Sequence, residues 1–160
     1  AVSEGDFSSS NNATSLEFMT GASEAAATKM TLTSAGTLNL GDNNLQRANL
    51  IDYGEVTNAI GATGGGTQDI DLTSGNSVSA TVDTSTNTFT FSNPTASDEL
   101  CGFSLVLTNG GSQTVNWPGA VDWAGASAPT LTSSGVDILV FITIDGGTIW
   151  HGMAASVDSS

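Results

Sequence analysis

Apolar residues along this chain fall into short alternating runs separated by Gly, Asn, Ser and Pro, the pattern of strands and turns. The longest run is Val136–Ile144 within GVDILVFITIDGGTIWHGM, residues 135–153. Val136, Ile138, Val140, Ile142 and Ile144 share one parity, while Asp137, Leu139, Phe141 and Thr143 share the other. Side chains alternate across a strand, so one face is wholly apolar and the other half apolar. That pattern predicts a central strand covered on both sides. Asp145-Gly146-Gly147 supplies residues that tolerate positive φ, as a tight hairpin requires, and Thr148–Met153 returns as the partner strand.

Further strands are expected at 68–72, 77–83, 86–92, 102–108 and 113–117, with turn signals between them such as Asn93-Pro94 and Asn109-Gly110-Gly111. Val78, Ala80, Val82, Phe89, Phe91, Phe103, Leu105 and Leu107 are their inward side chains. The expected fold is all-β, and the second part, residues 61–160, reads as a β-sandwich of jelly-roll-like topology. Gly61–Gly66, GATGGG, reads as a flexible linker or a sharp passage, and the domain boundary is expected there.

Residues 1–60 are thinner. After a polar start come strands at 15–20, 28–33 and 37–40, in which Leu16 and Phe18, Met30 and Leu32, and Leu38 and Leu40 pair by parity. Residues 21–27 read as a loop or a helical turn, and 42–55 as a helical turn or an irregular collar. Burying one such side chain contributes about 1.5–3 kcal/mol, whereas ordering each residue costs about 1–2 kcal/mol. So few apolar side chains cannot hold this segment alone. Identical neighbours would supply the missing surface, which predicts an intertwined β shaft, most naturally a homotrimer.

Charge narrows the partners. Sixteen Asp and Glu face two basic residues, Lys29 and Arg47, for a formal net charge of −14. Nucleic acid and anionic membrane surfaces are therefore poor partners. No apolar stretch is long enough for a transmembrane helix, and no signal-peptide pattern opens the chain. Cys101 is the only cysteine, which excludes an intrachain disulfide, and its apolar neighbours predict a buried thiol.

Catalytic chemistry finds little support. His151 is the only histidine, and no Gly-x-Ser-x-Gly elbow accompanies it. One His and one Cys do not make a structural zinc site, and neither calcium-loop spacing nor a calcium repeat is present. No metal and no cofactor is expected. Asp69 with Asp71, and Asp98 with Glu99, are carboxylate pairs of the kind a glycosidase needs, but they read as solvated surface groups. The residues left for ligand binding are Trp117, Asp122 and Trp123, in the Pro/Gly-rich loop WPGAVDWAGASAP. A loop Trp at the end of a sandwich can stack on a sugar ring, or fold back to cap the core. Tyr53 and His151 are weaker candidates of the same kind.

Two stretches resemble bacteriophage tail-fibre and virion-appendage proteins. SLEFMT…TKMTLTSAGTLNLG, within 15–41, is similar to a segment recurring in such fibres. TVNWPGAVDWAGASAPTLTSSGVDILVFITIDGGTIWHGM, residues 114–153, resembles their distal domain, where W-P, a second W, A-P-x-L-T, G-x-D and D-G-G-x-x-W follow in that order. The resemblance implies a trimeric fibre or spike tip on a virion, contacting a host cell-surface glycan or outer-membrane protein without catalysis. A structural virion part (head fibre, decoration protein or tail collar) would share the fold and its contacts with other virion proteins. A polysaccharide depolymerase is the third reading, weakened by the missing catalytic pair.

Overall fold

The structure, a computed structural model, describes residues 2–5, 8, 10, 12–41 and 43–159. Part of the polar start, and Asp42 in the collar segment, lie outside the described residues. The chain is all-β, and it divides into two compact units, residues 1–52 and 53–160.

The first unit is a four-stranded antiparallel sheet of β1 (Val2–Ser3), β2 (Thr14–Thr20), β3 (Ala27–Leu32) and β4 (Leu38–Asn39), in that order. Its register sets Leu16 opposite Leu32, Phe18 opposite Met30 and Leu32 opposite Leu38. Directly paired residues point to the same side, so one sheet face carries all of these side chains. No described residue of the unit buries them: Leu16 is 44% exposed and Phe18 47%. Among its described residues only Ser15 is buried. Residues 21–26 form a loop, and 43–52 carry neither strand nor helix.

The second unit has a core of its own. A six-stranded sheet, ordered β11-β13-β12-β9-β7-β5, contains β5 (Thr57–Ala62), β7 (Ser77–Thr81), β9 (Ser97–Thr108), β11 (Val121–Trp123), β12 (Val136–Asp145) and β13 (Trp150–Ser156). A three-stranded sheet, ordered β10-β8-β6, contains β6 (Gly66–Asp71), β8 (Asn87–Ser92) and β10 (Val115–Asn116). From β5 to β11 successive strands alternate between the two sheets, so each parallel pair within that run is joined by a strand of the opposite sheet, whereas the parallel pair β11–β13 is joined by β12 of the same sheet. The pairs β5–β7, β7–β9, β6–β8 and β8–β10 are all parallel. A jelly roll is built from antiparallel pairs, and that expectation does not describe this winding. Only β9–β12 and β12–β13 run antiparallel in this unit.

The Gly61–Gly66 stretch lies inside the second unit, not between units. Gly61 and Ala62 end β5, Gly66 begins β6, and Gly64, Gly65 and Gly66 hold the turn between them at positive φ. At Gly65 an added Cβ would meet the Ser85 hydroxyl at 2.1 Å, so the run is glycine because two turns pass close together. The unit boundary falls instead between Asp52 and Tyr53.

The core draws on both sheets: Ile70 and Phe89 from one; Val78, Leu105, Leu107, Leu139, Phe141 and Trp150 from the other. Phe91 meets Phe103 edge-on at 4.9 Å, a contact running directly from β8 to β9. β12 lies between β9 and β13, as its apolar length predicts, but the covered face is the half-apolar one. Asp137, Leu139, Phe141 and Thr143 are buried, while Val136, Ile138, Val140 and Ile142 are half-buried and Ile144 is 62% exposed. Within this unit the strand has a second sheet on one side only.

Both polar residues on the buried face have local partners. The Asp137 carboxylate accepts from the Thr132 N–H and hydroxyl, each at 2.7 Å, and from the Asp158 N–H at 3.1 Å. The Thr143 hydroxyl donates to Asp145 at 2.8 Å and accepts from Gly147 N–H at 3.1 Å, which ties it into the hairpin turn. Satisfied in this way, each group avoids the desolvation penalty of an unpaired buried polar atom.

Candidate functional site

The aromatic residues of the second unit converge at the β11 end of the large sheet. Trp117 follows β10 and stacks on Phe89 with ring centres 5.3 Å apart; it also lies 5.4 Å from Phe141. Trp123 stands at 5.6 Å from Trp117 and at 5.4 Å from Phe141, edge-on in both cases. Trp150 is buried against Phe91 and Phe103. Each Trp therefore packs on the core.

Strand β11 fixes Trp123. A turn closed by Val121 N–H on the Pro118 carbonyl at 3.0 Å leads into it, and Trp150 N–H donates to the Ala120 carbonyl at 2.9 Å. β11 then runs parallel to β13 with Val121 opposite Trp150, Asp122 opposite His151 and Trp123 opposite Gly152. The last pairing matters because the Trp123 ring lies over Gly152. A Cβ there would come within 2.9 Å of two ring carbons. Glycine is what lets the indole lie flat against the sheet.

Beside this ring is a groove of about 290 Å³ lined by Trp123, Ala124, Ser127, Pro129, Met153 and Ala154, with Gly152 at its floor. Its volume is close to the roughly 300 Å³ at which small-molecule sites begin. An indole edge, a proline ring and a thioether offer apolar contact, and Ser127 is the one polar side chain among them. One wall is the segment 124–135, which opens with Gly125 and Ala126 both in the left-handed region, at φ of 70° and 59°. For alanine that conformation costs about 1–2 kcal/mol. The cost is borne by a segment anchored at its far end, where Thr132 binds Asp137, Gly111 N–H donates to the Thr132 carbonyl, and Asn109 exchanges hydrogen bonds with Gly135.

Of the three residues expected to bind a ligand, only Trp123 lines the groove. Trp117 supports it from the core side. Asp122 is exposed and points to the other side of β11, beside the exposed His151. Asp137 was not expected to matter, yet it anchors the groove-forming segment. A single acid inside a nine-residue apolar run is the sequence signal that marks it.

The remaining candidates are spread apart. Asp69 accepts hydroxyl hydrogen bonds from Thr90 at 2.7 Å and Ser92 at 2.6 Å, across β6 and β8. Asp71 accepts from Asn93 and from Thr73, and these donors hold its carboxyl below the usual Asp range, with Asn93 the larger cause. Asp145 is held low in the same way, chiefly by the Ile149 N–H and then by the Thr143 hydroxyl. Asp98 and Glu99 are exposed at the start of β9, Tyr53 is exposed, and Cys101 is buried. Among the described residues, no three His, Cys, Asp or Glu side chains gather as a metal site would require. No helix of the described residues is long and apolar enough to cross a membrane.

No protein-family model, curated protein or solved structure matches this chain.

Proposed function

We propose that this chain is the distal, non-catalytic module of a multimeric bacteriophage fibre or spike, a host-adsorption part of the virion. The observation that carries the reading is the contrast between its two units. The first is a sheet with a full apolar face and no buried apolar side chain among its described residues; the second packs its own aromatic core. A sheet face of that kind folds stably when copies of it meet, and three strand sheets around an axis form a β shaft bearing compact heads. The resemblance of residues 15–41 and 114–153 to fibre proteins points the same way. In this reading the head is a sandwich and residues 1–52 are the shaft.

The groove at Trp123 is the proposed contact with a host cell-surface glycan, or with an outer-membrane protein. Stacking of a sugar on an indole is weak singly, and three linked sites raise it by avidity. The test is adsorption of fluorescently labelled chain to a panel of bacterial cells, with Trp123→Ala alongside. Binding to at least one host that the variant fails to bind supports the reading. Absence of adsorption to every host of a phage carrying the chain overturns it.

A structural virion role is the second reading, favoured by the small volume of the groove and its single polar side chain. A particle reconstruction with the Trp123 groove covered by another virion protein would decide for it.

A further inference from the structure

The six-stranded sheet has two faces, and only one meets the three-stranded sheet. The other carries Ile138, Val140 and Ile142 of β12 along its centre line. Val106 of β9 pairs with Ile138, and Met153 of β13 pairs with Val140. Val106 and Met153 are exposed, while the β12 residues are half-buried by their own neighbours. Beyond β9 the face continues into Ser77, Ser79 and Thr81 of β7, which alternate with the buried Val78 and Ala80. On the other side of β12, the exposed His151 of β13 stands opposite Ile142, and Asp122 of the edge strand β11 pairs with His151 at the rim. The acidic side chains of the second unit are thus kept off the centre of this face.

We propose that this outer face is buried against the same face of further copies of this chain, as a second self-association surface separate from the first unit's sheet. Two features select a copy as the occupant. The first is charge. Two chains at −14 repel, and the second unit contains no Lys or Arg to offset its acids, so contact between copies demands a patch whose facing groups are neutral on both sides. This face meets that condition with itself. The second is size. Strands rise about 3.3 Å per residue and lie about 4.8 Å apart, so β12, its neighbours β9 and β13, and β7 beyond β9 together span about 540 Å². A stable interface uses about 800 Å² per partner. This face alone falls short of that figure, so it suits copies already held together through the first unit and not an independent partner. The inference shares with the proposed function only the premise that copies associate.

The test is site-directed cross-linking in the full chain. Val140→Cys and Val106→Cys place a thiol on the face, Asn116→Cys places one on the exposed side of β10, and the unsubstituted chain reports on the buried Cys101. Each is treated with a short bismaleimide and run on a denaturing gel, with solution mass measured in parallel. Covalent dimers from Val140→Cys and Val106→Cys, at least five-fold above the Asn116→Cys and unsubstituted samples, are expected. A multimeric mass without those dimers, or with equal dimers from Asn116→Cys, overturns this surface and leaves multimerisation by the first unit standing. A monomeric mass overturns both.

Discussion

Thr132 meets Asp137 twice, its N–H donating to Oδ2 and its hydroxyl to Oδ1, each at 2.7 Å. The pair joins the centre of the best-packed sheet to the segment that walls the Trp123 groove. Among the described residues it is also the one place where a carboxylate sits fully inside the core.

Replacing Asp137 by Ala leaves the Thr132 and Asp158 N–H groups without their buried acceptor. We expect a loss of about 2–4 kcal/mol, because removing a charged partner strands the donors that faced it. Urea unfolding followed by Trp fluorescence measures it. Limited proteolysis should cut first within residues 124–135, where the anchor is gone.

Gly152→Ala puts a methyl group into the Trp123 ring. The indole must swing outward, so its emission should shift to the red, and the adsorption measured for the unsubstituted chain should fall to the level of Trp123→Ala. Stability should change by about 1 kcal/mol, since β13 keeps its pairing. Unchanged emission would mean that the ring does not rest on Gly152.

Phe141 and Ile144 belong to one strand and differ in what covers them. Phe141→Ala empties the space between Phe103, Trp117 and Trp123 and should cost about 3–5 kcal/mol. Ile144→Ala should fall within about 0.5 kcal/mol of the unsubstituted chain.

That contrast also shows what the sequence could and could not convey. Alternation marked β12 as a strand and placed it mid-sheet, but the wholly apolar parity, Val136 to Ile144, is the outer one. Asp137 and Thr143 are buried because Thr132, Asp158, Asp145 and Gly147 satisfy them, and such partners lie in loops that periodicity does not register. The same limit hid β5 and β11. Thr57–Ala62 is rich in small and polar residues, and Val121–Trp123 is three residues long, so neither shows an alternating apolar run. The first unit was legible in more detail: Leu16, Phe18, Met30, Leu32 and Leu38 share a sheet face as their spacing predicts. The site was legible in part. Trp123 lines a groove, but Trp117 faces the core and Asp122 the other side of the sheet, because adjacent residues of a strand point opposite ways.

Acid should weaken the second unit through two hydrogen-bonded, half-buried carboxylates. Asp71 and Asp145 are held below the ordinary Asp value of 3.8, the first chiefly by Asn93 and the second chiefly by the Ile149 N–H. A folded pKa below the unfolded one gives stability that is present above the unfolded value and lost as pH falls through the folded one. Relief of acidic self-repulsion acts in the opposite direction, so the measurement is a difference. Thermal midpoints of the unsubstituted chain and of Asp145→Asn, compared from pH 7 down to pH 2.5, should differ most near neutrality. They should converge below about pH 4. A gap that widens on acidification would contradict the assignment.

Copies of this chain are expected to meet through apolar sheet faces that a single copy leaves open. Light scattering coupled to size exclusion gives the mass of the full chain directly. A trimer of about 48 kDa, three times the 16.1 kDa chain, is the result expected. A stable 16.1 kDa monomer, with β2 to β4 intact by hydrogen exchange at the concentrations used, would contradict it.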